Sequence, residues 1–225
     1  GGIVSVAQVC TPHMNPDTGT RYSGMTTAPS PESVPSLTDT PDDGGYVTLS
    51  TRIAYENPWT RVREDIIRRP NGRDGLYGIV ERGDFVVIMP VGGEGAERTV
   101  TLIQQFRYPV RRRMWEFPMG MWETKPDADP DVVAAGELRE ETGLSAARMQ
   151  HVGILYQGAG YSTQRGHVYL ATDLTAGENA LEETEQDITC HTLPLAEFER
   201  MVRDNEITCM VTLAAFAMIR SHGLV

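Results

Sequence analysis

Three glutamates, Glu137, Glu140 and Glu141, are the residues of this sequence best placed to do chemistry. On a helix their spacing of i, i+3 and i+4 puts all three carboxylates on one face. Like charges so placed cost about 0.2–0.5 kcal/mol per pair. They also fall near the end of their helix, where the macrodipole disfavours anions. These penalties call for a compensating charge, and a hard divalent cation supplies one. An oxygen-only donor set favours Mg²⁺, with Mn²⁺ as the substitute, over zinc. A solvated acidic helix face is the competing reading of the carboxylates taken alone.

The elements that must position these groups can be read around them. The pattern predicts a helix over Pro130–Thr142, with Gly143 just past its end as a C-cap. A strand ending in Glu116-Phe117-Pro118-Met119-Gly120 precedes it, joined by a polar loop. Further strands are expected at 62–67, 76–80, 85–89, 99–106, 152–156 and 167–171. Pro70-Asn71-Gly72 and Arg82-Gly83-Asp84 read as turns, and Pro90 to Glu97 as a glycine-rich loop. Two helices, 195–205 and 212–222, close the chain. Strands interleaved with helices give an α/β (α+β) class.

Composition narrows the functions. The 225 residues are 40% hydrophobic, enough for one sizeable core with a tail. Residues 1–45 are rich in Pro, Ser, Thr, Gly and Asp and read as a disordered or extended tail, with the folded domain over 46–225. The net charge of −11 argues against a nucleic-acid partner. No apolar run approaches the roughly 20 residues of a membrane span, and the first ten residues lack the basic stretch of a secretory signal. Three widely spaced cysteines, Cys10, Cys190 and Cys209, suggest a reducing, cytoplasmic setting and no zinc knuckle.

Gly120, an acidic loop, and then Glu137-Leu138-Arg139-Glu140-Glu141-Thr142-Gly143-Leu144 resemble the Nudix box. The box has the order Gly, five residues, Glu, seven residues, Arg-Glu-apolar-x-Glu-Glu-x-Gly-apolar. Its second half matches at Glu137, Leu138, Glu140, Glu141, Gly143 and Leu144. Two positions depart from it. Gly136 stands where the box has an arginine that orients a carboxylate, and Gly120 lies two residues too far upstream, so that the earlier glutamate position falls on Ala128 beside Glu123, Asp127 and Asp129. Outside the box, Tyr55-Glu56-Asn57-Pro58-Trp59 and Gln104-Gln105-Phe106-Arg107-Tyr108, leading to Trp115 and Gly120, are similar to the ADP-ribose pyrophosphatase branch. That branch usually has a proline soon after the box, and Gln157 to Ser162 has none.

The resemblance implies a Nudix-type α/β/α sandwich with a mixed sheet. It implies metal-dependent hydrolysis of a nucleoside diphosphate linked to another group, ADP-ribose or a nucleotide sugar. Glu137, Glu140 and Glu141 would hold Mg²⁺, with the Met119 carbonyl as a further ligand. The branch takes its general base from a late loop, which here points to Glu185 and then Glu183. Arg107, Glu116, Arg113 and Trp59 are the candidate substrate contacts, Arg107 for phosphate because a guanidinium fork suits its oxygens. A homodimer is implied, with strands of about 46–80 contributing to it. A Nudix fold that binds a nucleotide without cleaving it, and an acidic interaction module without metal, stay open at this point.

Overall fold

The computed structural model describes residues 44–122, 127–177 and 187–225. Nearly all of the tail expected over 1–45 lies outside them, as do Glu123, Glu182, Glu183 and Glu185. Ten strands and three α-helices follow in order: β1 Val47–Asn57, β2 Thr60–Arg68, β3 Asp74–Glu81, β4 Phe85–Gly92, β5 Thr99–Arg107, β6 Arg112–Glu116, β7 Met119–Gly120, α1 Pro130–Thr142, β8 Leu144–Tyr156, β9 Arg165–Ala176, β10 Thr189–Pro194, α2 Leu195–Arg203 and α3 Met210–Ser221.

The strands form two sheets. β1, β2 and β3 make a three-stranded antiparallel sheet, and the other seven make a mixed sheet in the order β10-β5-β4-β9-β8, with β6 on β5 and β7 on β4. The pairing of β4 with β9 is parallel and its neighbours are antiparallel. β4 is central and buried along nearly its whole length, which explains its unbroken apolar sequence FVVIMPV. Its alternation builds the layers. Val87 and Met89 face a core with Phe198 and Met201 of α2 and Ala215 and Ile219 of α3. Val86 and Ile88 face a second core with Val133, Ala134 and Leu138 of α1. The sheet is therefore the middle of an α/β/α sandwich, and each fully buried aliphatic side chain adds about 1.5–3 kcal/mol.

Two expectations need correcting. Pro90–Gly92 belongs to β4 instead of a loop, because Val91 and Gly92 pair with Val100 and Thr99. The strand expected to run through Gly120 breaks after Glu116, since β6 pairs with β5 whereas β7 pairs with β4. The three-stranded sheet meets the larger one where the loop between β8 and β9 docks on β3: the Val80 amide donates to the Tyr161 carbonyl at 2.7 Å, and the Tyr77 hydroxyl to the Gly160 carbonyl at 2.9 Å. Among the described residues, no helix is long and apolar enough to cross a membrane.

Candidate active site

α1 forms where the sequence marks it. The Asp129 carboxylate caps its start by accepting from the Asp131 amide at 3.0 Å, and Pro130 fills the first turn. Gly143 ends it at φ 72°, a left-handed conformation that glycine adopts without strain. One part of the buried side carries Val133, Ala134 and Leu138 against the sheet. The same helix also buries Glu137 and Glu141, at 5% and 1% exposure, while Glu140 is half-buried. Charges so deep in a helix are retained only with compensating partners.

The segment in front of those carboxylates is held at three consecutive residues by three different elements. The Phe117 amide donates to the Thr212 hydroxyl of α3 at 3.0 Å. The Pro118 carbonyl accepts from the Ile88 amide of β4 at 2.9 Å. The Met119 amide donates to Glu141 Oε2 at 2.9 Å. Gly120 then lies so close to α1 that a Cβ there would be 2.4 Å from Glu137 Oε2. A glycine is therefore required for Glu137 to rest against β7.

The chemistry of this donor set fits a hard divalent cation. It is made of oxygens, two of its three carboxylates are buried, and the Met119–Gly120 backbone lies beside it. Among the described residues, no three His, Cys, Asp or Glu side chains converge closely enough to enclose an ion by themselves. Glu123, near the upstream box position, and Glu183 and Glu185, the candidate bases, lie outside the described residues.

Next to Gly120 opens a cleft of about 400 Å³, lined among others by Arg82, Arg107, Glu116, Met119, Gln157 and Met210. Arg107 and Glu116 meet at its wall, with Arg107 Nε donating to Glu116 Oε2 at 2.8 Å. Glu116 is almost fully buried and Arg107 half-buried, and both line the cleft. Burial, and then the Glu116 charge, push the neighbouring Cys209 thiol up from its ordinary value and keep it protonated. Thus Arg107, Glu116 and Met119 come together on one cleft, which Gly120 also lines; Glu137, Glu140 and Glu141 are not among its lining residues, and Glu137 lies against Gly120.

Arg113 and Trp59 are placed elsewhere. Arg113 donates to the carbonyls of Gln104 and Asp187, at 3.0 and 2.6 Å, and pairs with the Asp187 carboxylate at 3.2 Å. It clasps the start of β10 to β5 and does not line the cleft. Trp59 stands 57% exposed at the hairpin between β1 and β2, its amide bonded to Asn57 Oδ1. Sequence reasoning did not single out Arg82, Gln164 or the Thr208–Val211 wall as cleft residues. Arg82 sits in a turn and Thr208–Val211 at a helix start about 90 residues from β6, so only the fold joins them.

Residues 81–209 match the NUDIX domain, and residues 47–80 match the nucleoside diphosphate sugar hydrolase N-terminal domain. The chain is 30% identical over 177 residues to the ADP-ribose pyrophosphatase of Mycobacterium tuberculosis, spanning 78% of this chain and 84% of that protein. It is 28% identical to the Bacillus subtilis ADP-ribose pyrophosphatase, across 63% of this chain and 74% of that protein. It is 26% identical to the mouse ADP-sugar pyrophosphatase, across 57% and 62%. A crystal structure of an ADP compounds hydrolase shares the fold at a TM-score of 0.67 and 17% identity, over 80% of this chain and 97% of that one. With a family domain over more than half of its length and Glu137 and Glu141 set against β7, this chain belongs to the Nudix hydrolases, in the ADP-ribose pyrophosphatase-like branch.

Proposed function

We propose that the protein hydrolyses the diphosphate of a nucleoside diphosphate linked to another group, giving a nucleoside monophosphate and a phosphorylated product. ADP-ribose and ADP-sugars come first as candidates because relatives carry those names. The observation that carries the reading is the pinned segment 117–120, which sets two buried carboxylates of α1 against Met119 and Gly120, two residues that line the cleft holding the Arg107–Glu116 pair.

Nudix hydrolases work with divalent metal ions, and Mg²⁺ or Mn²⁺ suits Glu137, Glu140, Glu141 and the Met119 carbonyl. When bound there, such an ion supplies charge neutralisation and water activation. Arg107 holds a phosphate oxygen through the edge of its guanidinium that Glu116 leaves free. Glu116 keeps that fork oriented, as a buried acceptor for Nε. Water adds to one phosphorus, the bond to the bridging oxygen breaks, and that oxygen leaves on the other phosphate. Glu185, with Glu183 next, is the proposed acceptor of the water's proton. Retention of the three helix glutamates of the box favours an enzyme over a binder, since a binder gains nothing from a self-repelling triad.

A homodimer is part of the reading. Leu49, Ile53, Tyr55, Trp59, Leu76 and Tyr77 of the three-stranded sheet are each more than 40% exposed, an apolar surface suited to a second copy. Trp59 then contributes to an interface instead of to this chain's own cleft. We place the enzyme in the cytoplasm on its cysteine usage.

Chromatographic product analysis with ADP-ribose, ADP-glucose, GDP-mannose and NADH, each with Mg²⁺ or Mn²⁺, tests the activity. Conversion of at least one to a nucleoside monophosphate is expected; no conversion of any sinks the proposal. Light scattering tests the dimer, and a monomer at micromolar concentration refutes it.

A further inference from the structure

The buried face of α3 is formed by Val211, Thr212, Ala215 and Ile219. Val211, Ala215 and Ile219 are apolar, as a face packed on a core requires. Thr212 lies among them at 0% exposure. Valine has the same shape, so the position carries a hydroxyl that packing does not call for. Burying a hydroxyl costs free energy unless it is hydrogen-bonded. Here the oxygen accepts from the Phe117 amide at 3.0 Å, across 95 residues of sequence. The Phe117 ring is held separately, stacked on Phe198 with centroids 5.4 Å apart. The stacking fixes the side chain, and Thr212 fixes the peptide plane.

Two residues downstream, the Met119 amide donates to Glu141 Oε2 of α1 at 2.9 Å. Phe117 belongs to the core shared with α2 and α3, whereas α1 covers the other face of the sheet. Segment 117–119 therefore crosses from one layer to the other, with Pro118 as its middle residue. The proline ring locks its own φ, and the residue before a proline is confined to extended conformations. A link of this kind is stiff, so a turn of the Phe117 peptide is not absorbed before it reaches Met119. The Pro118 carbonyl, bonded to the Ile88 amide at 2.9 Å, serves as the pivot. With the Thr212 oxygen removed, the buried Phe117 N–H has lost its acceptor, and the backbone must move to find another.

We propose that Thr212 is a positioning residue: from the opposite layer of the sandwich it sets the Met119 backbone against Glu141 and thereby shapes the cation site beside α1. Thr212 is not among the residues that line the cleft, and it acts through Phe117 and Pro118. Its link to catalysis rests on the metal site of the reading above.

The test uses the full-length protein carrying ¹³C-carbonyl proline and ¹⁵N-methionine. Pro118-Met119 is the one Pro–Met pair in the sequence, so this labelling isolates the Met119 amide signal. In metal-free protein, Thr212→Val should shift that signal and speed its hydrogen exchange by at least about tenfold. With Mn²⁺ followed by electron paramagnetic resonance, the same variant should bind the ion at least about tenfold more weakly, as loss of a group that orients a metal ligand does. Thr212→Ser keeps the acceptor and should restore both. Ile219→Val, which loosens the same helix face about two turns on, should lower Tm and leave both unchanged. Thr212→Ala replaces the valine variant if that one does not fold. A Met119 signal unmoved by Thr212→Val, or moved as far by Ile219→Val, overturns the proposal, and so does an unchanged Mn²⁺ affinity beside a displaced Met119 amide. If the wild type binds no Mn²⁺, the metal reading fails, and the Met119 amide alone decides this inference.

Discussion

Replacing Gly136 with alanine sets two effects of known size against each other. Gly136 lies inside α1 and is buried. Helix propensity alone predicts a gain of about 1 kcal/mol for alanine over glycine. Against it stands Trp122. A Cβ at position 136 would sit 2.3 Å from Trp122 Cζ2, with Cε2 and Cη2 both at 3.2 Å. That ring is partly buried and packs on the cluster of Val133, Ala134 and Leu138, so swinging it away uncovers part of that cluster. Overpacking of this kind costs about 1–3 kcal/mol. The net expectation for Gly136→Ala is a loss of about 0–2 kcal/mol, the clash outweighing the propensity. In a Trp122→Ala background the clash is gone and the same substitution should stabilise by about 1 kcal/mol. Urea unfolding followed by circular dichroism on all four proteins gives the cycle, and a coupling of about 1–3 kcal/mol is expected. For a chain of this size each kcal/mol moves Tm by about 2–4 °C, so heating offers a second readout. If Gly136→Ala stabilises equally in both backgrounds, the tryptophan does not fill the space beside position 136.

Glu141→Gln should leave unfolding nearly unchanged, because the amide oxygen can still accept the Met119 N–H, while kcat falls by at least about 100-fold; near-normal turnover would move the metal away from α1. Arg107→Ala strips a buried carboxylate of its guanidinium, and with Arg107 itself 38% exposed the loss of stability should be about 1–3 kcal/mol, accompanied by a higher KM for diphosphate substrates. Arg107→Ala/Glu116→Gln should recover the stability without recovering KM; recovery of both would remove Arg107 from phosphate binding. Acidification gives a signed test. Burial, and then the His167 charge, hold the His151 imidazole below its ordinary 6.5, and its Nε2 has no hydrogen-bond partner among the described residues. Burial and then Arg113 do the same to His191. Below pH 6.5 the unfolded chain therefore binds more protons than the folded one, and stability falls with pH, by at most about 1.4 kcal/mol per pH unit for each ring. His151→Gln should flatten that slope in urea midpoints, and an unchanged slope would refute the assignment.

The parts legible in the sequence were those whose causes are local. The bounds of α1 follow from Asp129, Pro130 and Gly143, three residues whose capping needs nothing from the rest of the chain. The unbroken apolar run of β4 announces a strand buried on both faces. β10 was not legible, because Thr-Cys-His-Thr-Leu-Pro holds a single large aliphatic residue and forms a strand by pairing with β5. The cleft wall was hidden for a related reason. Thr208–Val211 and Arg82 have no motif of their own and acquire a role only when α3 and the turn before β4 close around Gly120. Arg113 could not be placed from sequence, because an arginine beside a phosphate site and one that clasps a strand look alike there; its bonds to Gln104 and Asp187 need the fold to be seen.

The two departures from the Nudix box can be understood as one change. The box carries an arginine where Gly136 stands, and the loop before α1 is longer by two residues. Trp122 sits near the start of that loop, and its indole occupies the space a side chain at 136 would need. A side chain at 136, arginine included, therefore has to compete with the Trp122 ring for that space. Glu137 then loses its arginine neighbour but keeps its position through Gly120, whose missing Cβ lets the carboxylate lie against β7. Restoring the arginine alone should therefore fail. Gly136→Arg ought to destabilise more than Gly136→Ala, since a guanidinium stem adds volume to the same clash. Gly136→Arg with Trp122→Ala should win back most of that loss, because the stem can fill the space the indole vacates. If Gly136→Arg by itself is as stable as the double variant, tryptophan and arginine do not compete for one site, and the lengthened loop and the lost arginine are separate events.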